Sequence, residues 1–225
     1  MQIRVMLVGY FITFEGVEGC GKTTQIKLLD DLLSARGLST VLTREPGGCP
    51  IADKIRTILL DAENRALSPL AELMLYAAAR AQHVTEVISP ALDAEKIVLC
   101  DRFCDATVAY QSFGRGIDRG VIDTLNLHAC QGVSPDLTVL VDCDPRVGLE
   151  RARRRIEATS GPREERFELE ALAFHQRVRA GYQQLAADQP DRFLVIDGSD
   201  GIEEISAAIS AQVVSRIPER LHAVC

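Results

Sequence analysis

The chain has no surplus of positive charge: 25 Lys and Arg stand against 32 Asp and Glu, a formal net charge of −7. That balance argues against a general binder of nucleic acid or of acidic membrane, which would present a basic surface. It leaves room for a local basic site in a chain that is acidic in sum. No apolar run approaches the ~20 residues that span a bilayer. Residues 1–14 are mostly apolar, but they carry only Arg4 as a cation and run into a glycine loop without a small-residue cleavage site. They read as a first strand with a short extension, which places the chain in the cytoplasm. The cysteines, at 20, 49, 100, 104, 130, 143 and 225, form no CxxC pair, and nothing completes a zinc site around Cys100 and Cys104. They read as free thiols in a reducing compartment. Repeats and low-complexity tracts are absent as well.

What remains is ordinary globular usage, 47% hydrophobic and 25% charged over 225 residues, enough for one generous domain with a small subdomain. Short apolar segments at 11–14, 40–43, 97–100, 137–141 and 193–196 alternate with amphipathic ones. Several of the short segments are apolar without alternation, as strands buried on both faces of a parallel sheet are. Helical spacing is found at 23–36, closed by Gly37, and at 50–61, which carries Ile51, Ile55, Ile58 and Leu59. Further helices are predicted from Pro69 past Arg80, and at 120–130, 146–156, 168–187 and 202–217. Repeated βα units imply an α/β fold, a doubly wound parallel sheet flanked by helices, whose ligands gather at the carboxyl ends of the strands. Residues 157–165 (EATSGPREE) break the pattern and read as a mobile flap between two helices.

The sharpest motif is Gly16-Val17-Glu18-Gly19-Cys20-Gly21-Lys22-Thr23, a complete GxxxxGK[ST] loop between a predicted strand and a predicted helix. Glycines let consecutive backbone N–H groups curl around phosphate oxygens, and the helix N-terminus adds partial positive charge. Lys22 is placed to reach β- and γ-phosphates and the Thr23 hydroxyl to ligate Mg²⁺. A loop of this kind serves GTPase switches, motor ATPases and small-molecule kinases alike. The chain lacks an Asn-Lys-x-Asp guanine-reading stretch and an ABC-type signature. It has instead Thr43-Arg44-Glu45-Pro46-Gly47-Gly48 after the second strand and Asp101-Arg102-Phe103 after the third. Arg44 and Arg102 are candidates to clamp a second phosphate with forked hydrogen bonds. Asp101 stands where a carboxylate holds Mg²⁺, directly or through water, or takes a proton.

Together, FITFEGVEGCGKTTQ, TREPGG, YAAARAQHV and DRFCDATVAYQ resemble thymidylate kinase in its bacterial form, from about residue 11 to residue 198. The resemblance implies one P-loop nucleoside monophosphate kinase domain over 1–225, with a five-stranded sheet and a small mobile lid at about 151–167. It implies transfer of the ATP γ-phosphoryl to dTMP, giving dTDP and ADP for dTTP synthesis and DNA replication. It also implies a homodimer packed through helices on one side of the sheet, with no nucleic-acid or membrane partner.

Residue by residue, ATP falls to Gly16, Val17, Glu18, Gly19, Cys20, Gly21, Lys22, Thr23 and Thr24, and Mg²⁺ to Thr23 and Asp101. The acceptor falls to Glu18, Arg44, Tyr76, Arg80, Arg102, Thr107, Tyr110 and Gln111. In the family an aromatic at the Tyr76 position stacks on thymine and an arginine at the Arg80 position bonds its O4. Thr107 matches a position near the pyrimidine N3, Tyr110 a ring that disfavours a ribose 2′-OH, and Gln111 a support of the base pocket. Glu18 matches an acidic loop residue that contacts the acceptor's sugar.

The phosphate loop itself holds no arginine, so the family's bacterial pattern takes the catalytic cations from the lid. Arg151, Arg153, Arg154 and Arg155 precede the flap, and Arg163 and Arg166 follow. Arg151 and Arg155 share a helical face while Arg153 points elsewhere. Arg153 and Arg155 are favoured as the cations that join Lys22 and Arg102 in catalysis, though any of the four is open. Two departures stand out. Glu165 replaces the family's usual Asp, and Cys20 and Cys49 replace Ala and Thr. Small-residue filling is the favoured reading of both; the competing one is that positive dipoles near these loops lower the thiol pKa and invite oxidation.

Overall fold

The computed structural model describes residues 8–158 and 166–221. Five segments, β1 (Tyr10–Glu15), β2 (Thr40–Arg44), β3 (Ile97–Asp101), β4 (Leu137–Asp142) and β5 (Phe193–Asp197), form one parallel sheet. Their order is β2-β3-β1-β4-β5. All five contain the segments the sequence predicts, each extended by a residue or two. The predicted two-sided burial holds for β1, β3 and β4, whose apolar side chains lie in the core. It fails for β2 and β5 because they are the sheet's edges: Leu42 and Val195 stand exposed.

Around the sheet lie α1 (Lys22–Ala35), α2 (Pro50–Leu60), α3 (Pro69–His83), α4 (Ser89–Asp93), α5 (Cys104–Thr107), α6 (Arg119–Cys130), α7 (Pro145–Ala158), α8 (Leu172–Asp188) and α9 (Ile202–Val214). Wide π-helical turns carry α3 into α4 and extend α5 to Gly114. Ser68 opens α3 by accepting the Ala71 N–H, with Pro69 in the first turn. The helix predicted from residue 168 begins at Leu172 instead. Arg166 explains the delay: its backbone N–H and its Nε donate to the carbonyls of Leu60 and Leu59, folding residues 166–170 against the end of α2. On α2 the buried residues are Ala52 and Leu59, whereas Ile51 and Ile58 face outward.

The register levels the strand ends. Phe14 of β1 and Arg44 of β2 both pair with Asp101 of β3, so the loops after all three strands emerge at one height. Phe11, Ile12 and Phe14 are fully buried. Each contributes about 1.5–3 kcal/mol of burial, which anchors the strand from which the glycine loop springs.

Candidate active site

A crevice of about 1450 Å³ opens over these strand ends. Its floor is the glycine loop. Gly16, Gly19 and Gly21 have φ of 139°, 66° and 98°, left-handed conformations that other residues adopt only with strain. Gly19 also meets Gly148 of α7: a Cβ on Gly19 would lie 1.9 Å from the Gly148 carbonyl oxygen. The loop therefore carries α7 on its back. Lys22 Nζ, nearly buried, donates to the Gly16 and Val17 carbonyls at 3.0 and 2.9 Å and to Cys20 Sγ at 3.4 Å. Thr23 Oγ1 donates to Asp101 Oδ2 at 2.9 Å, which sets two hard oxygen groups side by side at the loop's rim.

Arg102 and Glu18 span the middle. Arg102 has φ of 69°, a left-handed conformation rare outside glycine. The bend turns its guanidinium back over the loop, where Nη1 donates to Gly16 O and Tyr182 Oη and Nη2 to Glu18 Oε1. Three of its five N–H donors are thus used among the described residues. Tyr110 Oη also donates to Glu18 Oε1, at 2.5 Å. Burial would raise the Glu18 carboxyl, but Arg102, then His175, then Lys22 hold it down at about 2. One strand end away, burial and then the Asp105 charge push the Glu15 carboxyl up to about 7, although Arg102, Tyr182 and the Phe103 N–H oppose them.

The far side of the crevice has aromatic walls and a polar base. Tyr76 and Phe167 line it with ring centroids 6.5 Å apart. Beneath them Arg80 is almost wholly buried. It donates Nε to Glu45, Nη1 to Asn126, and Nη2 to both the Phe103 carbonyl and Thr107 Oγ1. That commits four of its five donors and leaves one on Nη1. Gln111 Nε2 donates to the buried Glu72, which also holds Arg115 and Arg166. Arg44 sits at the mouth, more than half exposed and 3.8 Å from Asp53. Thr24 lines the loop side.

The α7 arginines divide as helical spacing predicts. Arg151 and Arg155 line the crevice. Arg153, favoured on sequence, lines instead a separate cavity of about 390 Å³ with Arg154 and Leu172, because it lies on another face of α7. Arg154 pairs with Glu150. Arg163 and Glu165 lie outside the described residues. The expectation of an acidified thiol fails at Cys49: burial first, then Glu86 and Asp53, push that thiol up. Cys20 is buried in the loop.

A family model for thymidylate kinase matches residues 14–209. The chain belongs to the thymidylate kinase family. It is 66% identical over 218 residues to the thymidylate kinase of Pelobacter propionicus, covering 96% of this chain and 100% of that one. It is 67% identical over 207 residues to that of Trichlorobacter lovleyi, covering 92% and 98%. The crystal structure of thymidylate kinase from Ehrlichia chaffeensis matches the fold with a TM-score of 0.72 at 35% identity, covering 92% of this chain and 98% of that chain.

Within this family frame, the sequence missed Phe167, Glu15, Glu72, His175 and Tyr182 as parts of the site. Phe167 follows the flap and carries no motif signal. The two residues from α8 had one usable trace: Phe174, Val178 and Tyr182 repeat every four residues and form one buried face, with His175 beside it.

Proposed function

We propose that the chain transfers the γ-phosphoryl group of ATP to dTMP, yielding dTDP and ADP. One observation carries this reading: a single crevice joins the glycine loop to an aromatic-walled pocket whose base holds a buried arginine, with the Arg102 guanidinium between them. In this reading Gly16 to Thr24 cradle ATP, and Lys22 exchanges loop carbonyls for β- and γ-phosphate oxygens. The Thr23 and Asp101 oxygens fit Mg²⁺, which takes only a few protein ligands and completes its shell with phosphates and water. Bound there, the ion neutralises phosphate charge.

Arg44 and the remaining donors of Arg102 hold the dTMP phosphate in line. Thymine stacks on Tyr76, with its O4 on the last Nη1 donor of Arg80 and its N3 toward Thr107; Gln111, fixed by Glu72, supports the pocket. Tyr110 closes the sugar's 2′ side and Glu18 contacts the sugar. A carbonyl meeting a fixed buried donor is selected over an amine, because the amine would leave two donors facing each other. Arg151 and Arg155, in place of Arg153, stabilise the transferring phosphoryl from α7.

No helix of the described residues is long and apolar enough to cross a membrane. The described cysteines are free thiols, consistent with a cytoplasmic enzyme. Ile51, Ile58, Leu70, Met74, Val121 and Leu127 stand exposed on α2, α3 and α6, helices that pack side by side. This apolar face supports a homodimer. The reading is tested by an acceptor panel of dTMP, dUMP, dCMP, dGMP and thymidine with ATP–Mg²⁺. Fastest turnover with dTMP supports it; preference for a cytosine or guanine nucleotide overturns the assignment of the pocket.

A further inference from the structure

His175 is wholly buried on α8, outside every sequence motif, and both of its ring nitrogens face acceptors. Nε2 lies 3.0 Å from the Phe167 carbonyl oxygen, and Nδ1 lies 3.2 Å from Glu18 Oε2. A carbonyl oxygen only accepts, so Nε2 carries a proton. Glu18 is held ionised, so its Oε2 also only accepts. Nδ1 therefore lies against a buried carboxylate at ion-pair distance. Glu18 Oε2 and His175 Nδ1 make no hydrogen bond among the described residues, and their 3.2 Å approach is an ion-pair contact. Two buried polar atoms without hydrogen bonds call for such compensation.

The two acceptors belong to opposite parts of the acceptor pocket. Phe167 supplies the wall opposite Tyr76, while its ring also meets Tyr110 edge-on at 5.4 Å and stacks on Phe174 at 6.2 Å. Glu18 is the loop carboxylate whose other oxygen takes Arg102 and Tyr110. The charges near this pair are Arg102 and Lys22 around Glu18, with Glu168 on the turn before α8. We infer that His175 is a positioning residue for the acceptor nucleotide: its ring stands between the Phe167 carbonyl and the Glu18 carboxylate, clamps one to the other, and so fixes the spacing between the base wall and the sugar-facing carboxylate. This rests on the reading of Glu18 as an acceptor contact.

The test has two independent arms. In the unaltered enzyme, ¹⁵N spectra of the His175 ring should show a proton on Nε2, as the Phe167 carbonyl requires; an unprotonated Nε2 overturns the clamp without any variant having to fold. In the kinetic arm, His175→Ala, Glu18→Gln and the double variant are assayed for both substrates. His175→Ala should raise the dTMP KM about tenfold, as loss of the buried contacts that hold Glu18 and Phe167 apart would, while the ATP KM stays within about twofold. In the Glu18→Gln background the same change should add nothing, since the histidine acts through that carboxylate. Full additivity, or an equal rise in both KM values, overturns the proposal. An ordinary dTMP KM in Glu18→Gln alone refutes the role of Glu18 and with it the kinetic claim, and the ring spectra still report separately on the clamp.

Discussion

Gly19 of the phosphate loop and Gly148 of α7 touch backbone to backbone, and a Cβ on Gly148 would fall 2.2 Å from the Glu18 carbonyl oxygen. The helix bearing Arg151 and Arg155 is thereby seated directly on the loop they are proposed to serve. Gly148→Ala should push the two apart. Overpacking of this kind costs about 1–3 kcal/mol, and each kcal/mol lowers Tm by about 2–4 °C in a chain this size. The accompanying effect should be a raised ATP KM with little change in the dTMP KM. Thermal melts and steady-state kinetics check both; unaltered ATP affinity would mean that this contact does not shape the loop.

Lys22 Nζ already sits in the bowl of the loop, on the Gly16 and Val17 carbonyls. Lys22→Ala should lower kcat by roughly 10²-fold or more, the scale of losing one preorganised donor. The fold should survive, because only two loop carbonyls and the Cys20 thiol lose a partner. Circular dichroism and initial rates distinguish that outcome from general unfolding.

Glu15 and Glu18 are neighbouring carboxylates with opposite pH behaviour. Glu15 is raised to about 7, so the stability it contributes is present below about 4.5 and lost as pH rises through 7. Glu18 is lowered to about 2, so its contribution is present above about 4.5 and lost as pH falls toward 2. Glu15→Gln keeps an acceptor for the Phe103 N–H but cannot ionise. Relative to the unaltered chain it should gain stability between pH 4.5 and 7, on the order of 3 kcal/mol. Urea melts across that range read the difference, and a constant offset would contradict the assignment.

Leu127 is the most exposed of the large apolar side chains on the α2, α3 and α6 face. If that face joins two copies, the unaltered chain sediments as a dimer and Leu127→Asp as a monomer. A monomeric unaltered chain at assay concentrations would remove the dimer from the account.

Much of this site could be read from the sequence because the fold places motifs by strand ends. The glycine loop follows β1, Arg44 and Asp101 are the last residues of β2 and β3, and register alone brings them level. Helical spacing sets Arg153 apart from Arg151 and Arg155, but which of these faces meets the crevice depends on how α7 packs on the loop at Gly19 and Gly148. Phe167 was missed for a related reason: Arg166 pins it beside α2 through bonds to residues more than a hundred positions away. His175 was invisible because its partners come from the phosphate loop and from the turn before α8. Local chemistry was legible, and juxtapositions made only by packing were not. The outward Ile51 and Ile58 are a further case: helical spacing showed an apolar α2, but which apolar residues the core would take depended on how α2 meets α3.

The net charge of −7 hides this arrangement, since the cations that matter converge on one crevice. The central claim is phosphoryl transfer to dTMP across that crevice, with water kept out. It is tested most directly by following ATP labelled in its γ-phosphoryl, with and without dTMP. The account predicts that with dTMP the label appears in dTDP, one for each ADP formed, and that little phosphate is released when dTMP is withheld. Release of labelled phosphate at the same slow rate whether or not dTMP is present would contradict it.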